Sequence, residues 1–253
     1  MLYKQFGSPT NPTVVLIHGG GVSWWMWRPQ IEALKNDYHI VAPIIEGHGE
    51  AADTEFTSIQ SSAQNIISLL DEMCGGRVLA ICGLSIGAQI TVEMLSQRPD
   101  IAQKAIVESA LVIPLKLGKG TVPLLTASFP LIKHRWFARL QARQLYLPDR
   151  MFEDYYTDSN RMTKQSLLNI SVSNAGYTIP VHFTNTTAEV AVLCGAQEYG
   201  FMKRSAQMIA QAAPHASLTI VPKCGHGVSI KYPERYISLL KRMLQNGNFN
   251  GEL

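Results

Sequence analysis

The 253-residue chain is short of charge. Asp, Glu, Lys and Arg make up 16% of it against 46% hydrophobic residues, so a sizeable core can be buried and global disorder is excluded. Neither sign dominates. The formal net charge is +3 with no long basic block, which argues against nucleic acid as the main partner. Long hydrophobic runs are missing as well: none approaches the ~20 residues that span a bilayer. Met1-Leu2-Tyr3-Lys4-Gln5 lacks the apolar stretch of a signal peptide. No stable membrane insertion and a cytoplasmic setting are therefore expected. Cysteine is scarce, and Cys74, Cys82, Cys194 and Cys224 show no C-x-x-C spacing. They read as free thiols in a reducing compartment. No cluster has metal-ligand spacing, so neither a metal nor an organic cofactor is expected. Internal repeats and low-complexity tracts are also lacking.

What is present is an alternation of strand and helix patterns. Leu2–Phe6 reads as a short leading strand. Thr13–Ile17, mostly β-branched, has the character of a strand covered on both faces. Further strands are expected at His39–Pro43, Val78–Cys82, Lys104–Val107, Val190–Cys194 and Ser217–Val221. Between them, Gln30–Leu34, Ile59–Met73, Ala88–Gln97 and Lys203–Ala212 carry helical spacing, and Pro233 opens a final helix with Tyr236, Leu240 and Met243 as its stripe. Such alternation implies a doubly wound, mostly parallel α/β sheet. It breaks between about residues 113 and 183, where helical patterns and turns appear without a convincing buried strand. There Leu131–Leu145 is basic and amphipathic, with Trp136, Phe137 and Leu140 near one face, and reads as a helix packed on the body. The plan is a core of residues 1–112 and 184–253 interrupted by a helical insertion, 113–183. The tail, 246–253, is polar and expected to fray.

Gly83-Leu84-Ser85-Ile86-Gly87 lies between a strand pattern and a helix pattern. A tight turn there lifts the Ser85 hydroxyl above the sheet, while the new helix aims its first N–H groups at the same spot. A serine hydroxyl needs a base within hydrogen-bond reach. Of the seven histidines, His226 in Cys224-Gly225-His226-Gly227 follows the last strand. It therefore emerges at the C-terminal sheet edge, where open parallel sheets place their sites. The base in turn needs an anion. Glu198 follows the preceding strand; Glu108, just after Lys104–Val107, is its rival, and both remain open. Acyl transfer also needs donors for the oxyanion. Ile86 N–H supplies one, and Gly20, or secondly Gly21, of His18-Gly19-Gly20-Gly21 supplies the other. His18 is expected to brace that loop.

In order and position these motifs resemble the α/β-hydrolase superfamily, in the branch with a helical cap inserted after the sixth core strand. The resemblance rests on His18–Gly21 with Trp27 downstream, Pro43 with Gly47-His48-Gly49, the Gly83–Gly87 elbow, Gly195 with Glu198, and Gly225-His226. It implies a serine hydrolase cleaving a small carboxylic ester through a Ser85 acyl-enzyme, with His226 and Glu198 completing a triad. The same triad would also serve C–C bond hydrolysis, lactone or peptide hydrolysis, lyase chemistry or slow-turnover ligand sensing. The partner implied is a small ester-like molecule, for a monomer or homodimer. Candidate pocket residues are Trp24 and Trp25 of the oxyanion loop and Trp136 and Phe137 of the insertion. Two positions depart from the pattern. That branch usually has Asp where Glu198 stands, and an acidic residue then Arg where Ile44-Ile45-Glu46 precede Gly-His-Gly. Serine at the elbow argues against relatives that dehalogenate.

Overall fold

The computed structural model describes residues 1–116, 127 and 129–245; the tail expected to fray and residues 117–126 of the insertion lie outside them. Among the described residues, seven strands form one sheet in the order β1-β3-β2-β4-β5-β6-β7. They are β1 Tyr3–Phe6, β2 Thr13–Ile17, β3 His39–Pro43, β4 Val78–Leu84, β5 Ala102–Glu108, β6 Glu189–Gly195 and β7 Ala216–Val221. Only β1 is antiparallel, to β3; every other pairing is parallel. After β3 the chain crosses to the other side of β2, so the winding reverses between β2 and β4, the switch point at which open sheets hold ligands.

Successive strand side chains point to opposite faces, which explains the near-continuous apolar runs. Val15, Ile17, Ile81, Val107 and Val192 face a core filled by α2 (Ile59–Cys74), α3 (Ile86–Gln97) and residues of a later helix, Gly200–Ala212. Their sequence neighbours Val14, Leu16, Ala80, Ile106 and Leu193 face the other core, with α1 (Arg28–Leu34) and the final helix Pro233–Gln245. Each fully buried Val, Leu or Ile contributes roughly 1.5–3 kcal/mol relative to exposure. The expected stripe of the final helix is there: Tyr236 and Leu240 are 0% exposed and Met243 1%.

Between β5 and β6 the described residues form helices and turns: α4 (Arg135–Gln144), α5 (Phe152–Arg161) and α6 (Lys164–Gly176). The remaining helices are α7 (Gly200–Ala212), α8 (Val228–Lys231) and α9 (Pro233–Gln245). The resemblance placed six strands ahead of the insertion; here five precede it. The packing face of α4 also differs from expectation. Ala138 and Ala142 are buried, whereas Trp136 is 63% and Leu140 50% exposed. Small side chains let α4 approach α5 closely, and its exposed arginines also lie over aromatic rings of α5: Arg139 over Phe152 at 4.3 Å and Arg135 over Tyr156 at 4.9 Å. Two polar links fasten α5 to the body. Trp25 Nε1–H donates to Asp158 Oδ2 at 2.7 Å, and Arg28 pairs with both carboxylate oxygens of Asp154. Among the described residues no helix is long and apolar enough to cross a membrane.

Candidate active site

Ser85 directly follows β4 with φ 57° and ψ −116°, a conformation that a non-glycine residue holds only under constraint. The constraint is visible. Ser85 N–H donates to Glu108 O at 2.8 Å, and α3 begins at once, with Ala88 and Gln89 N–H bonding to Ser85 O. A Cβ on Gly83 would stand 2.2 Å from Gly87 O, and one on Gly87 2.5 Å from both Ile17 O and His18 O. Both glycines are therefore demanded by close backbone approach.

His226 emerges after β7 between Gly225 and Gly227, the latter at φ 106°. Its Nδ1 lies 3.0 Å from Glu198 Oε2. A carboxylate only accepts, so Nδ1 carries the hydrogen and Nε2 is left as the basic nitrogen. The other oxygen, Oε1, collects three donors: Ser109 Oγ–H at 2.7 Å, Gly195 N–H at 2.8 Å and Cys194 Sγ–H at 3.3 Å. Burial pushes the Glu198 carboxyl up, but the hydrogen bonds and charge of His226, with Ser109 and Gly195 N–H, outweigh it and hold the group below its ordinary value. Glu198 is thereby kept as an anion, although its side chain is only 3% exposed.

The rival carboxylate has a different partner. Glu108, at 0% exposure, accepts Ser229 N–H at 3.0 Å on Oε1. Burial drives its carboxyl up to about 7, against the pull of the Ser229 hydrogen bonds. Ser229 belongs to α8, two residues beyond Gly227, so Glu108 holds the turn that follows His226 while Glu198 holds the ring itself.

On the other side of the elbow, His18 Nδ1–H donates to Gly19 O at 2.8 Å, and Nε2 accepts Ile45 N–H at 3.0 Å. Burial first, and neighbouring His48 second, lower its pKa to about 3. A neutral His18 thus ties the Gly19–Gly21 loop to the segment after β3. A Cβ on Gly20 would lie 3.8 Å from Ile86 Cγ2, so this loop stands beside the first residue of α3.

Ser85, Glu198 and His226 line one cavity of about 580 Å³. Its other walls include Ser109, Leu111, Gln144, Tyr146, Asn174, Gln197, Phe201 and Met202. None of the four expected pocket residues is among them. Trp24 and Trp25 line a separate cavity with Glu50 and Asp158. The indole of Trp25 is drawn there by its hydrogen bond to Asp158, and the Trp24 ring lies against Phe6 and under Arg28. Trp136 and Phe137 pack edge to face, 5.6 Å apart, on α4. The wall is made instead by the turn after α4, by Asn174 on α6 and by the Gln197–Met202 segment. Ser109 and Tyr146 were the residues that sequence reasoning missed. Ser109 directly follows a strand at the edge that carries Ser85, which is a usable signal; Tyr146 carries none. Among the described residues no group of three or more His, Cys, Asp or Glu is placed to hold a metal ion.

Residues 14–239 match the model of a family described as the alpha/beta hydrolase family. The chain is 32% identical over 87 residues to 3-oxoadipate enol-lactonase 1 of Acinetobacter baylyi, covering 34% of this chain and 32% of that protein. It is 21% identical over 245 residues to the pimeloyl-[acyl-carrier protein] methyl ester esterase of Nitrosomonas europaea, covering 90% and 94% respectively. The crystal structure of the enol-lactonase from Burkholderia xenovorans superposes with a TM-score of 0.80 at 17% identity, over 97% of this chain and 96% of that one.

Proposed function

The chain belongs to the alpha/beta hydrolase family, and on that premise we propose that it is a serine hydrolase of small carboxylic esters acting through a Ser85 acyl-enzyme. The observation that carries this reading is the 3.0 Å contact of His226 Nδ1 with a buried, anionic Glu198, on the same cavity as a strained Ser85. Nε2 of His226 takes the Ser85 proton as Oγ attacks the ester carbonyl. The oxyanion accepts hydrogen bonds from the N–H groups of Ile86 and Gly20. As the tetrahedral adduct collapses, the C–O bond to the alcohol breaks, and His226 delivers its proton to the departing oxygen. A water, deprotonated by the same nitrogen, then adds to the acyl carbon, releasing the acid and returning Ser85 to its hydroxyl form. Glu198 fixes the ring and stabilises the imidazolium formed in each half.

The helical insertion, residues 113–183, serves in this reading as a cap: Gln144, Leu145, Tyr146 and Asn174 already wall the cavity. Among the described residues that wall is hydroxyl, carboxamide, phenol, thioether and hydrocarbon beside Glu198 and His226, which suits an uncharged ester. Two relatives named above are an enol-lactonase and a methyl ester esterase, and both names denote ester-type bonds. A cyclic ester is therefore the second reading, opened by the same steps with the alcohol retained on the acyl chain.

The test is intact-mass spectrometry after treatment with a fluorophosphonate. One adduct, mapped to Ser85 and absent from Ser85→Ala, is expected, together with turnover of short-chain p-nitrophenyl esters or lactones that the variant lacks. A folded protein that takes no adduct and cleaves neither class would overturn the proposal.

A further inference from the structure

Tyr146 is the residue common to two described cavities, the 580 Å³ one at Ser85 and a second of about 270 Å³. The second is lined by Met26, Met151 and Ile230, among others, and by Lys231 of α8. Tyr146 stands there in a conformation that bulky side chains avoid: φ is 56°, in the left-handed region. The turn holding it is fixed from both sides, by Tyr146 N–H to Arg143 O at 3.1 Å and Leu147 N–H to Ala142 O at 2.9 Å. The ring is pinned too. Its hydroxyl lies 2.7 Å from where a Cβ on Gly225 would stand, and Lys231 Nζ, itself donating to Lys223 O, lies 4.5 Å from the ring centroid. A strained, doubly braced aromatic ring between two cavities, against the loop that carries His226, is a fixed wall.

We propose that Tyr146 is a specificity-determining residue: its ring closes the far end of the Ser85 cavity and so limits the length of the ester that can be cleaved. This rests on the ester-hydrolase reading given above. Removing the ring would join the two spaces and add about 270 Å³ behind Met26 and Ile230, where an extended apolar chain could lie. Each methylene newly buried is worth about fourfold in kcat/KM.

The experiment compares wild type, Tyr146→Gly and Tyr146→Phe on p-nitrophenyl butyrate and octanoate. Glycine occupies the left-handed region without strain, so that variant is expected to fold. The octanoate-to-butyrate ratio of kcat/KM should rise at least tenfold in Tyr146→Gly and stay within about twofold of wild type in Tyr146→Phe, which keeps the ring. An unchanged ratio in Tyr146→Gly would overturn the proposal. So would an equal loss on both esters, which would assign the ring to supporting the His226 loop through Gly225. A crystal structure of Tyr146→Gly supplies a readout independent of turnover. One continuous cavity is expected, and a collapsed turn that leaves two cavities overturns the partition even if the protein hydrolyses no ester. Absence of ester cleavage by wild type, beside a continuous cavity in the variant, would count against the Ser85 reading alone.

Discussion

Replacing Glu108 by glutamine should change how stability depends on pH while leaving the fold intact. The Glu108 carboxyl is raised from 4.5 to about 7 by burial at the end of β5. Below pH 4.5 it is protonated in both folded and unfolded chains, and stability does not vary with pH on its account. Between 4.5 and about 7 the unfolded chain loses this proton while the folded chain keeps it, so the unfolded state binds fewer protons and folding stability falls as pH rises. The contribution is thus complete below pH 4.5 and is lost on passing through 7. The displacement from 4.5 to about 7 corresponds to roughly 3 kcal/mol. Glutamine cannot ionise, and its Oε1 can still accept the Ser229 N–H that Glu108 accepts at 3.0 Å. Urea unfolding of both proteins at half-unit steps from pH 4 to 8 gives the difference curve directly. Glu108→Gln should gain on wild type by roughly 3 kcal/mol across that window and run parallel to it above pH 7.5. A flat difference curve, or a wild type that gains on the variant with rising pH, would refute the reasoning.

Glu198→Gln should lower kcat on the order of a thousandfold or more, because the amide disturbs the tautomer and charge that the carboxylate imposes on His226; Glu108→Gln should stay within about tenfold, and the reverse order would exchange their roles. Ser109→Ala removes the 2.7 Å hydrogen bond to Glu198 Oε1, and kcat/KM should fall about tenfold with KM little changed. His226→Ala and Ser85→Ala should each abolish nearly all turnover, with the double variant little worse than either; additive losses in steady-state kinetics would contradict a shared unit. Gly83→Ala places a methyl group 2.2 Å from Gly87 O and should lower the melting temperature sharply in a thermal scan, whereas Gly176→Ala, with nothing within 4 Å of the new carbon, should not.

Most of the sheet was legible because strands buried on both faces leave apolar runs that few other arrangements explain, and Val78–Leu84 is such a run. The strand and helix ends were less so. β5 extends from Ala102 to Glu108 rather than Lys104 to Val107, and α3 starts at Ile86 rather than Ala88, since ladder pairing and the elbow, not composition, set those limits. That Ser85 and Glu198 share one edge was legible because parallel strands deliver their C-terminal ends to the same side. The pocket wall was not. Aromatic residues looked like lining, yet Trp25 is held by Asp158 and Trp136 is 63% exposed. These outcomes depend on contacts more than a hundred residues apart or on how closely α4 approaches α5. Tyr146 acquires its place from a left-handed turn that no local pattern announces.

Glu108 and Ser109 between them touch every arm of the site. The Glu108 carbonyl accepts Ser85 N–H, its carboxyl accepts Ser229 N–H, and the Ser109 hydroxyl donates to Glu198. Ser85, the His226 loop and Glu198 thus share one anchor, a dipeptide at the tip of a central strand, besides the contacts each makes elsewhere. A shared anchor couples failure: warming that frees the dipeptide loosens the histidine loop and the elbow together. Loss of turnover and loss of tertiary structure should trace a single curve, and a catalyst that wanes before it melts would have to be anchored differently.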